Sequence, residues 1–296
     1  MPGPRIPPDG PRQRTGTDAS ASGAFALGGD LPVVRLGFGA LRILGRGGLG
    51  PPPDRAQALG VLRQALDLGI TLIDTADSYG PGVSEELIAE ALHPYPPGLV
   101  IATKGGFVRP RGAWKANGKP AHLREALNGS LRRLRVDRID LYQLHTVDPD
   151  VPIEESVGTL AELQTQGKIR HIGVSNVSVD ELRRARAVAR IVSVQNEYNI
   201  ADRESDDVVD VCTREGLAFL PWRPLGTRGG SRTLAAELPK VAARHGAAPA
   251  QVALAWLLRR SPVVLPIPGT GSPAHLAENV AAAGLSLSDE EFRALQ

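Results

Sequence analysis

The chain has 296 residues, of which 42% are hydrophobic, and its formal net charge is +2. Arginines are scattered among acidic residues, which is typical of solvated helix faces and disfavours a nucleic-acid-binding protein. The single cysteine, Cys212, excludes an intramolecular disulfide and favours a cytoplasmic protein, and no apolar run approaches the ~20 residues that cross a bilayer.

The first 24 residues are rich in Pro, Gly and Ser and contain no apolar stretch of the kind that secretory signals have. Such a segment cannot bury enough apolar surface to order itself, so we predict a disordered tail over residues 1–24. Gly28, Gly29 and Asp30 then separate two short apolar segments, a pattern that predicts a β-hairpin. We expect residues 25–296 to form a single domain.

After the hairpin, short apolar strand patterns alternate with helical patterns to the end of the chain. Strands are predicted at 36–39, 71–74, 99–104, 139–145, 171–175, 191–196, 217–221 and 263–266. Helices are predicted at 54–68, 84–93, 120–134, 153–166, 178–189, 205–215, 248–260 and 273–283, with an extra helix at 232–246. Strict alternation predicts a parallel sheet, and eight units predict an α/β fold of the closed (β/α)8 TIM barrel type. Residues 45–53 and 105–119 are rich in Gly or Pro and follow strands, so we interpret them as substrate loops.

Four polar residues lie at or just after the C-terminal ends of predicted strands: Asp74, Tyr79, Lys104 and His145. In a parallel barrel these ends meet on one face, where catalysis takes place. A tyrosine can protonate a carbonyl oxygen, and a neighbouring ammonium such as that of Lys104 lowers the pKa of the phenol. Asp74 would hold Lys104 by a charge-assisted hydrogen bond, and His145 would orient the substrate oxygen.

The segments around these residues resemble the aldo-keto reductase family, from about Leu31 to the end of the chain. They are ITLIDTADSYG, LVIATKGG, IDLYQLH, GVSN and PIPGTGSPAHLAEN. Other segments, among them TADSYGPGVSEELIAEAL and QNEYNIADRESDDVVD, are similar to the pyridoxal reductase-like branch of that family. The resemblance implies an NAD(P)H-dependent oxidoreductase that reduces an aldehyde or ketone to an alcohol by hydride transfer. It assigns the general-acid role to Tyr79.

The cofactor site is expected outside any Rossmann motif, because no G-x-G-x-x-G follows a first strand. Gly269, Thr270 and Gly271 precede a helix that Ser272 can cap, which is a pattern for binding phosphate. The resemblance implies these cofactor-binding residues: Ser175, Asn176, Gln195, Trp222, Leu225, Gly226, Gly269, Thr270, Ser272, His275, Glu278 and Asn279. Many family members have Lys in place of Gly269 and Arg in place of His275, so a strict preference for the 2′-phosphate is weakened. We expect NADPH, with NADH left open.

Apolar walls for the substrate are predicted from Phe38, Leu41, Phe107 and Trp114. The branch resemblance suggests pyridoxal or another aromatic aldehyde, and no nucleic acid, membrane or metal is expected as a partner.

A cofactor-binding sensor or partner-binding subunit on the same barrel stays as an alternative. A metal-dependent barrel hydrolase or isomerase is disfavoured because no HxH pair or carboxylate cluster accompanies Asp74 and His145. Arg223, beside Trp222, could reach a phosphate or lie on the rim.

Overall fold

A computed structural model describes residues 18–226 and 232–296. Residues 1–17 of the predicted tail therefore lie outside the described part. The predicted end of the tail at residue 24 was wrong, because residues 18–24 belong to the fold. Asp18 caps a 3-10 helix at Ala19–Ser22 by accepting from the backbone N–H of Ser20. Ala19 is fully buried, and its own N–H donates to the carbonyl of Leu68 at 2.9 Å.

The predicted hairpin is confirmed as an antiparallel pair, β1 (Ala24–Leu27) and β2 (Leu31–Val34). Its apolar side chains are buried in a cluster with residues from the first halves of the barrel strands, such as Leu72 and Leu141. Because those positions face the barrel interior at the end opposite the catalytic residues, the hairpin closes the bottom of the barrel.

The remaining strands are, in chain order, β3 (Phe38–Gly39), β4 (Leu72–Asp74), β5 (Val100–Gly105), β6 (Phe107–Val108), β7 (Lys115–Ala116), β8 (Ile139–Leu144), β9 (Ile169–Ser175), β10 (Ile191–Gln195) and β11 (Ala218–Phe219). Within the described residues, seven of them form one parallel sheet in the spatial order β11-β10-β9-β8-β5-β4-β3. The strands β6 and β7 form a separate antiparallel pair in the loop after β5, a stretch that was predicted to lack regular structure.

The barrel closes through the segment predicted as its eighth strand. Residues 263–266 make a single parallel bridge, between Phe219 and Val264, rather than a regular ladder. On one side Leu265 N–H donates to Phe219 O at 2.8 Å, and on the other Gly37 N–H donates to Pro266 O at 2.9 Å. The prolines at 266 and 268 have no N–H to donate, which explains why the segment closes the barrel without forming a full strand. The predicted (β/α)8 fold is confirmed.

The helices are α1 (Arg55–Asp67), α2 (Val83–Leu92), α3 (Pro120–Leu134), α4 (Ile153–Thr165), α5 (Val179–Val188), α6 (Asp206–Glu215), α7 (Arg232–Arg244), α8 (Pro249–Arg260), α9 (Pro273–Ala281) and α10 (Asp289–Ala294). The first nine agree with the predicted helices to within about two residues at each end. Ser178 and Glu181 form a capping box at the start of α5, and Gly69 and Gly167 adopt positive φ after their helices. Helix α10 was missed although Ser288 and Glu291 form a second capping box there.

The main apolar core lies between the sheet and the surrounding helices, and the smaller cluster under the hairpin fills the bottom of the barrel. In the described part of the chain, every helix is too short or too polar to traverse a lipid bilayer. This arrangement leaves the upper face of the barrel, where β4, β5 and β8 end, to be covered by loops.

Candidate active site

The structure brings together the four residues singled out at the strand ends. Asp74 is the last residue of β4, Lys104 lies near the end of β5, and His145 follows β8 directly. Tyr79 reaches the same place from the turn after β4. The Lys104 Nζ lies 5.1 Å from the centre of the Tyr79 ring, and the rings of Tyr79 and His145 are 5.8 Å apart. We call these four residues the tetrad.

A fully buried ion pair lies at the base of the tetrad. Lys104 Nζ donates to Asp74 Oδ2 and to Thr75 O, at 2.7 Å each. The second oxygen of Asp74 accepts from the Gln195 side-chain amide at 2.9 Å and from the Gln143 amide at 3.4 Å. Burial opposes the charge on Lys104, but the charge and hydrogen bond of Asp74 prevail and raise the pKa of the ammonium. Lys104 is therefore charged at neutral pH. Gln143 was missed in the sequence, although it lies two residues before His145 on β8 and so faces the same side.

Tyr79 keeps its proton more firmly than expected. Burial raises the pKa of its phenol; the charge and hydrogen bond of Lys104 act in the opposite direction, and the charge of Asp74 adds to the rise. Lys104 lowers this pKa, as expected, but desolvation of the phenolate outweighs the effect of the ammonium, so the pKa stays above its ordinary value. The hydroxyl of Tyr79 is thus protonated and able to donate.

His145 is held as a neutral imidazole. Burial lowers its pKa well below the ordinary value, and the positive charges of Lys104 and Arg109 lower it further. Its Nδ1 lies 3.3 Å from the Ser78 hydroxyl. When that hydroxyl donates to Nδ1, the proton of the neutral ring is on Nε2, which can then donate to another oxygen.

Two aromatic side chains cover the tetrad from the β6–β7 loop. The Phe107 ring lies 4.8 Å from that of His145, and the Trp114 ring meets the Tyr79 ring edge-on at 6.3 Å. Leu41 is half-buried in the 3-10 helix after β3. The prediction of Phe38 as a pocket wall was wrong: it is fully buried in the core between sheet and helices, because it faces outward on β3.

Sequence reasoning also missed Arg109, which carries a charge next to the tetrad. Its guanidinium lies 3.7 Å above the Trp114 ring and donates to carbonyls of Gly47, Ser78 and Gly112. No motif marks this arginine; the only signal was its place in a loop predicted to contact substrate.

The residues predicted to hold the nicotinamide lie next to the tetrad, on β9, β10 and the segment after β11. Asn176 donates to His145 O at 2.9 Å and to Ser175 Oγ at 3.1 Å, and accepts from the Trp222 indole at 2.9 Å. Ser175 donates to Gln195 O at 2.6 Å. These side chains therefore form a connected polar layer that reaches Asp74 through the Gln195 amide.

The predicted phosphate-binding loop follows the closing segment and leads into α9. Ser272 Oγ caps α9 by accepting from His275 N–H, and Thr270 Oγ accepts from Ser272 N–H. The backbone N–H groups of Thr270 and Gly271 donate to no residue of the described part. His275 is exposed, and Asn279 is buried.

Two glycines predicted to approach a phosphate are also required by packing against protein. A Cβ on Gly269 would lie 2.5 Å from Gly39 O, and one on Gly226 would lie 2.4 Å from the Asn199 side chain. A lysine at 269 would therefore collide with the backbone at the end of β3. Leu225 is half-buried against the core, and the carbonyl of Glu278 accepts from the Gln251 amide.

Comparison with known proteins agrees with this geometry. The sequence pattern of the Aldo/keto reductase family matches residues 35–296. The chain belongs to the aldo/keto reductase family. It is 47% identical to pyridoxine 4-dehydrogenase of Escherichia coli, over 93% of this chain and 98% of that protein. It is 45% identical to an oxidoreductase of Schizosaccharomyces pombe, over 94% of this chain and 90% of that protein.

Solved structures show the same fold. An aldo/keto reductase from Klebsiella pneumoniae, crystallised with NADP and acetate, is 30% identical and superposes with a TM-score of 0.78, covering 92% of this chain and 93% of that one. This chain is thus an oxidoreductase of the aldo/keto reductase family, and the family and branch predicted from its motifs are confirmed.

Arg223 lies on the rim of this reductase. Its guanidinium pairs with Glu197 at 3.2 Å in an exposed position, and its backbone has a φ of 51°. Residues 18–226 and 232–296 contain no group of three or more His, Cys, Asp or Glu side chains that could hold a metal ion.

The turn that carries Tyr79 also contains an unusual buried carboxyl group. Burial, followed by the charge of Glu85, raises the pKa of Asp77 to about 8. Its Oδ1 atom is buried and has no hydrogen-bond partner among the described residues. Asp77 is therefore largely protonated in the folded protein near neutral pH.

We expect this carboxyl group to make the reductase less stable as the pH rises. Between the ordinary pKa of 3.8 and about 8, the folded state keeps the Asp77 proton and the unfolded state loses it. The contribution of the Asp77 proton to the free energy of unfolding is therefore complete below pH 3.8. It decreases as the pH rises towards about 8, by at most about 1.4 kcal/mol per pH unit. Urea unfolding of the wild type and Asp77→Asn at about pH 5 and about pH 8 measures this. The loss between the two pH values should be smaller in the variant; equal losses would contradict the assignment.

Proposed function

We propose that this protein is an NADPH-dependent reductase of aldehydes or ketones in which Tyr79 is the general acid. The observation that carries the proposal is the buried Lys104–Asp74 pair beside a protonated Tyr79 and a neutral His145. Reduction of a carbonyl places negative charge on its oxygen, and these groups offer a proton and positive charge at one place.

The tetrad residues have separate roles in this proposal. His145 donates to the carbonyl oxygen and orients it, since its neutral ring leaves one N–H free of the Ser78 contact. Tyr79 gives its proton to the same oxygen as the carbonyl carbon is reduced, and becomes a phenolate. The Lys104 ammonium stabilises that phenolate, and Asp74 holds the ammonium in place. A proton from solvent then restores the phenol.

The residues present fit a nicotinamide dinucleotide, which supplies the hydride when bound. Gln195 and Asn176 offer amide groups beside the tetrad, and Trp222 lies next to them. The backbone amides of Thr270 and Gly271, which have no partner among residues 18–226 and 232–296, suit a phosphate together with the start of α9. We infer NADPH rather than NADH from this anion site, and the Klebsiella pneumoniae reductase crystallised with NADP supports the choice.

For the substrate we propose a flat aromatic aldehyde, with pyridoxal as the first candidate. Phe107 and Trp114 provide aromatic surfaces beside Tyr79 and His145. The relative that is a pyridoxine 4-dehydrogenase supports a substrate of this shape. The sensor alternative is disfavoured because a binding role needs no buried ammonium beside a protonated phenol.

An assay of NADPH consumption tests the proposal. We expect NADPH absorbance to fall when pyridoxal or a simple aromatic aldehyde is added, because the tetrad can protonate the carbonyl oxygen of either compound. The dissociation constants of NADPH and NADH, measured by quenching of protein fluorescence, should favour NADPH. Bound cofactor without turnover on any carbonyl compound would favour the sensor, and tighter binding of NADH would refute the cofactor assignment.

A further inference from the structure

Three loops of the catalytic face meet at the guanidinium of Arg109. It donates to Gly47 O at 3.2 Å in the loop after β3, and to Ser78 O at 3.4 Å in the loop after β4. It also donates to Gly112 O at 3.0 Å within its own loop, after β5. The guanidinium group of Arg109 therefore links the three loops by hydrogen bonds to their backbone carbonyls.

The same guanidinium fixes an aromatic side chain. It lies 3.7 Å above the ring of Trp114, which is 44% exposed. The indole packs edge-to-face with the rings of two reacting groups, at centroid distances of 6.3 Å from Tyr79 and 5.9 Å from His145. Because much of the indole is exposed, the stacking of Arg109 on its face adds to the edge contacts with Tyr79, Phe107 and His145 in setting its orientation.

We propose that Arg109 is a positioning residue of the active site, which holds Trp114 against Tyr79 and His145 by tying three loops together. The proposal rests on the reductase function proposed above. Arginine suits the task because its flat fork donates in several directions while its face stacks on an aromatic ring. The ammonium group of lysine has no planar face that could stack on a ring, and it does not hold several donors in a fixed plane.

Two consequences separate this role from general support of the fold. Trp114 borders the substrate site proposed above, so a loss of its order should affect a flat aromatic aldehyde more than a small aliphatic one. The charged and titratable groups around His145 are Tyr79, Lys104 and Arg109. Removal of the Arg109 charge should therefore move the acid limb of the pH–activity profile to higher pH.

Arg109→Met and Arg109→Lys test the proposal, with Arg111→Met as the matched control. Arg111 is an exposed arginine of the same loop. We expect Arg109→Met to raise KM for an aromatic aldehyde about tenfold or more, to raise it less for an aliphatic aldehyde, and to shift the acid limb upward. Arg109→Lys should raise KM in the same way but leave the acid limb in place, and Arg111→Met should change neither.

Hydrogen exchange of residues 105–119 gives a measurement that needs no activity. Exchange in this segment should be faster in both Arg109 variants than in the wild type and Arg111→Met. Trp114→Phe should raise KM for the aromatic aldehyde without shifting the acid limb. Wild-type exchange and wild-type KM in Arg109→Met would overturn the proposal. A wild-type protein that reduces no carbonyl compound would refute the proposed function, while the exchange result still decides whether Arg109 ties the loops.

Discussion

Tyr79→Phe is expected to lower kcat for carbonyl reduction by ~10²–10⁴-fold, the range that general acids contribute. The phenol is buried, protonated and within reach of the Lys104 charge, and phenylalanine keeps its ring but offers no proton. Because Tyr79 lies beside Lys104 and His145 and is not part of the proposed phosphate-binding loop, the affinity for NADPH should stay near that of the wild type. Steady-state kinetics and cofactor titration measure the two quantities separately.

Tyr95→Phe is the matched control for this change. The hydroxyl of Tyr95 donates to Leu134 O at 2.7 Å, on the outer side of the barrel. Its loss should cost about 1 kcal/mol of stability and leave kcat unchanged. Full turnover in Tyr79→Phe would remove that residue as the acid, and an equal loss in both variants would indicate damage to the fold instead.

Lys104→Met is expected to lower the stability by about 3–5 kcal/mol and also to abolish most of the turnover. The variant leaves Asp74 as a buried carboxylate whose remaining partners in the described part of the chain are the amides of Gln195 and Gln143. Turnover falls because no ammonium remains to stabilise the phenolate of Tyr79. Urea unfolding and the kcat of the surviving folded protein measure the two effects.

The double variant Lys104→Met, Asp74→Asn separates stability from catalysis. Removal of the unpaired carboxylate should recover part of the lost stability, but none of the turnover, because the ammonium is still absent. Lys168→Met is a control, since its Nζ donates to the Asn128 side chain at 3.0 Å in a partly buried position and does not belong to the tetrad. The account is contradicted if the double variant regains turnover, or if Lys104→Met is as stable as the wild type.

Much of this site could be predicted because strand ends in a parallel barrel must converge. That rule was sufficient to predict that Asp74, Lys104 and His145, each at the end of an apolar run, lie on one face of the barrel. It also places the loop at Thr270, which leads into α9, on that face. Helix boundaries were predictable from local signals, such as the capping box at Ser178.

Other features depend on distances that the sequence does not contain. The pKa of Tyr79 follows from a balance between burial and the charge of Lys104, and the motif gave no measure of burial. Phe38 was assigned to the wrong face because a two-residue strand has too little alternation to show its direction. Arg109 was missed since its carbonyl partners come from three separate loops.

The most direct measurement is to follow deuterium from NADPH labelled at C4 of the nicotinamide into the product formed from pyridoxal, by mass spectrometry. We expect one deuterium on the new alcohol carbon with the wild type and almost no labelled product with Tyr79→Phe in the same time. An unlabelled alcohol from the wild type, or labelled alcohol formed at the wild-type rate by Tyr79→Phe, would contradict this expectation.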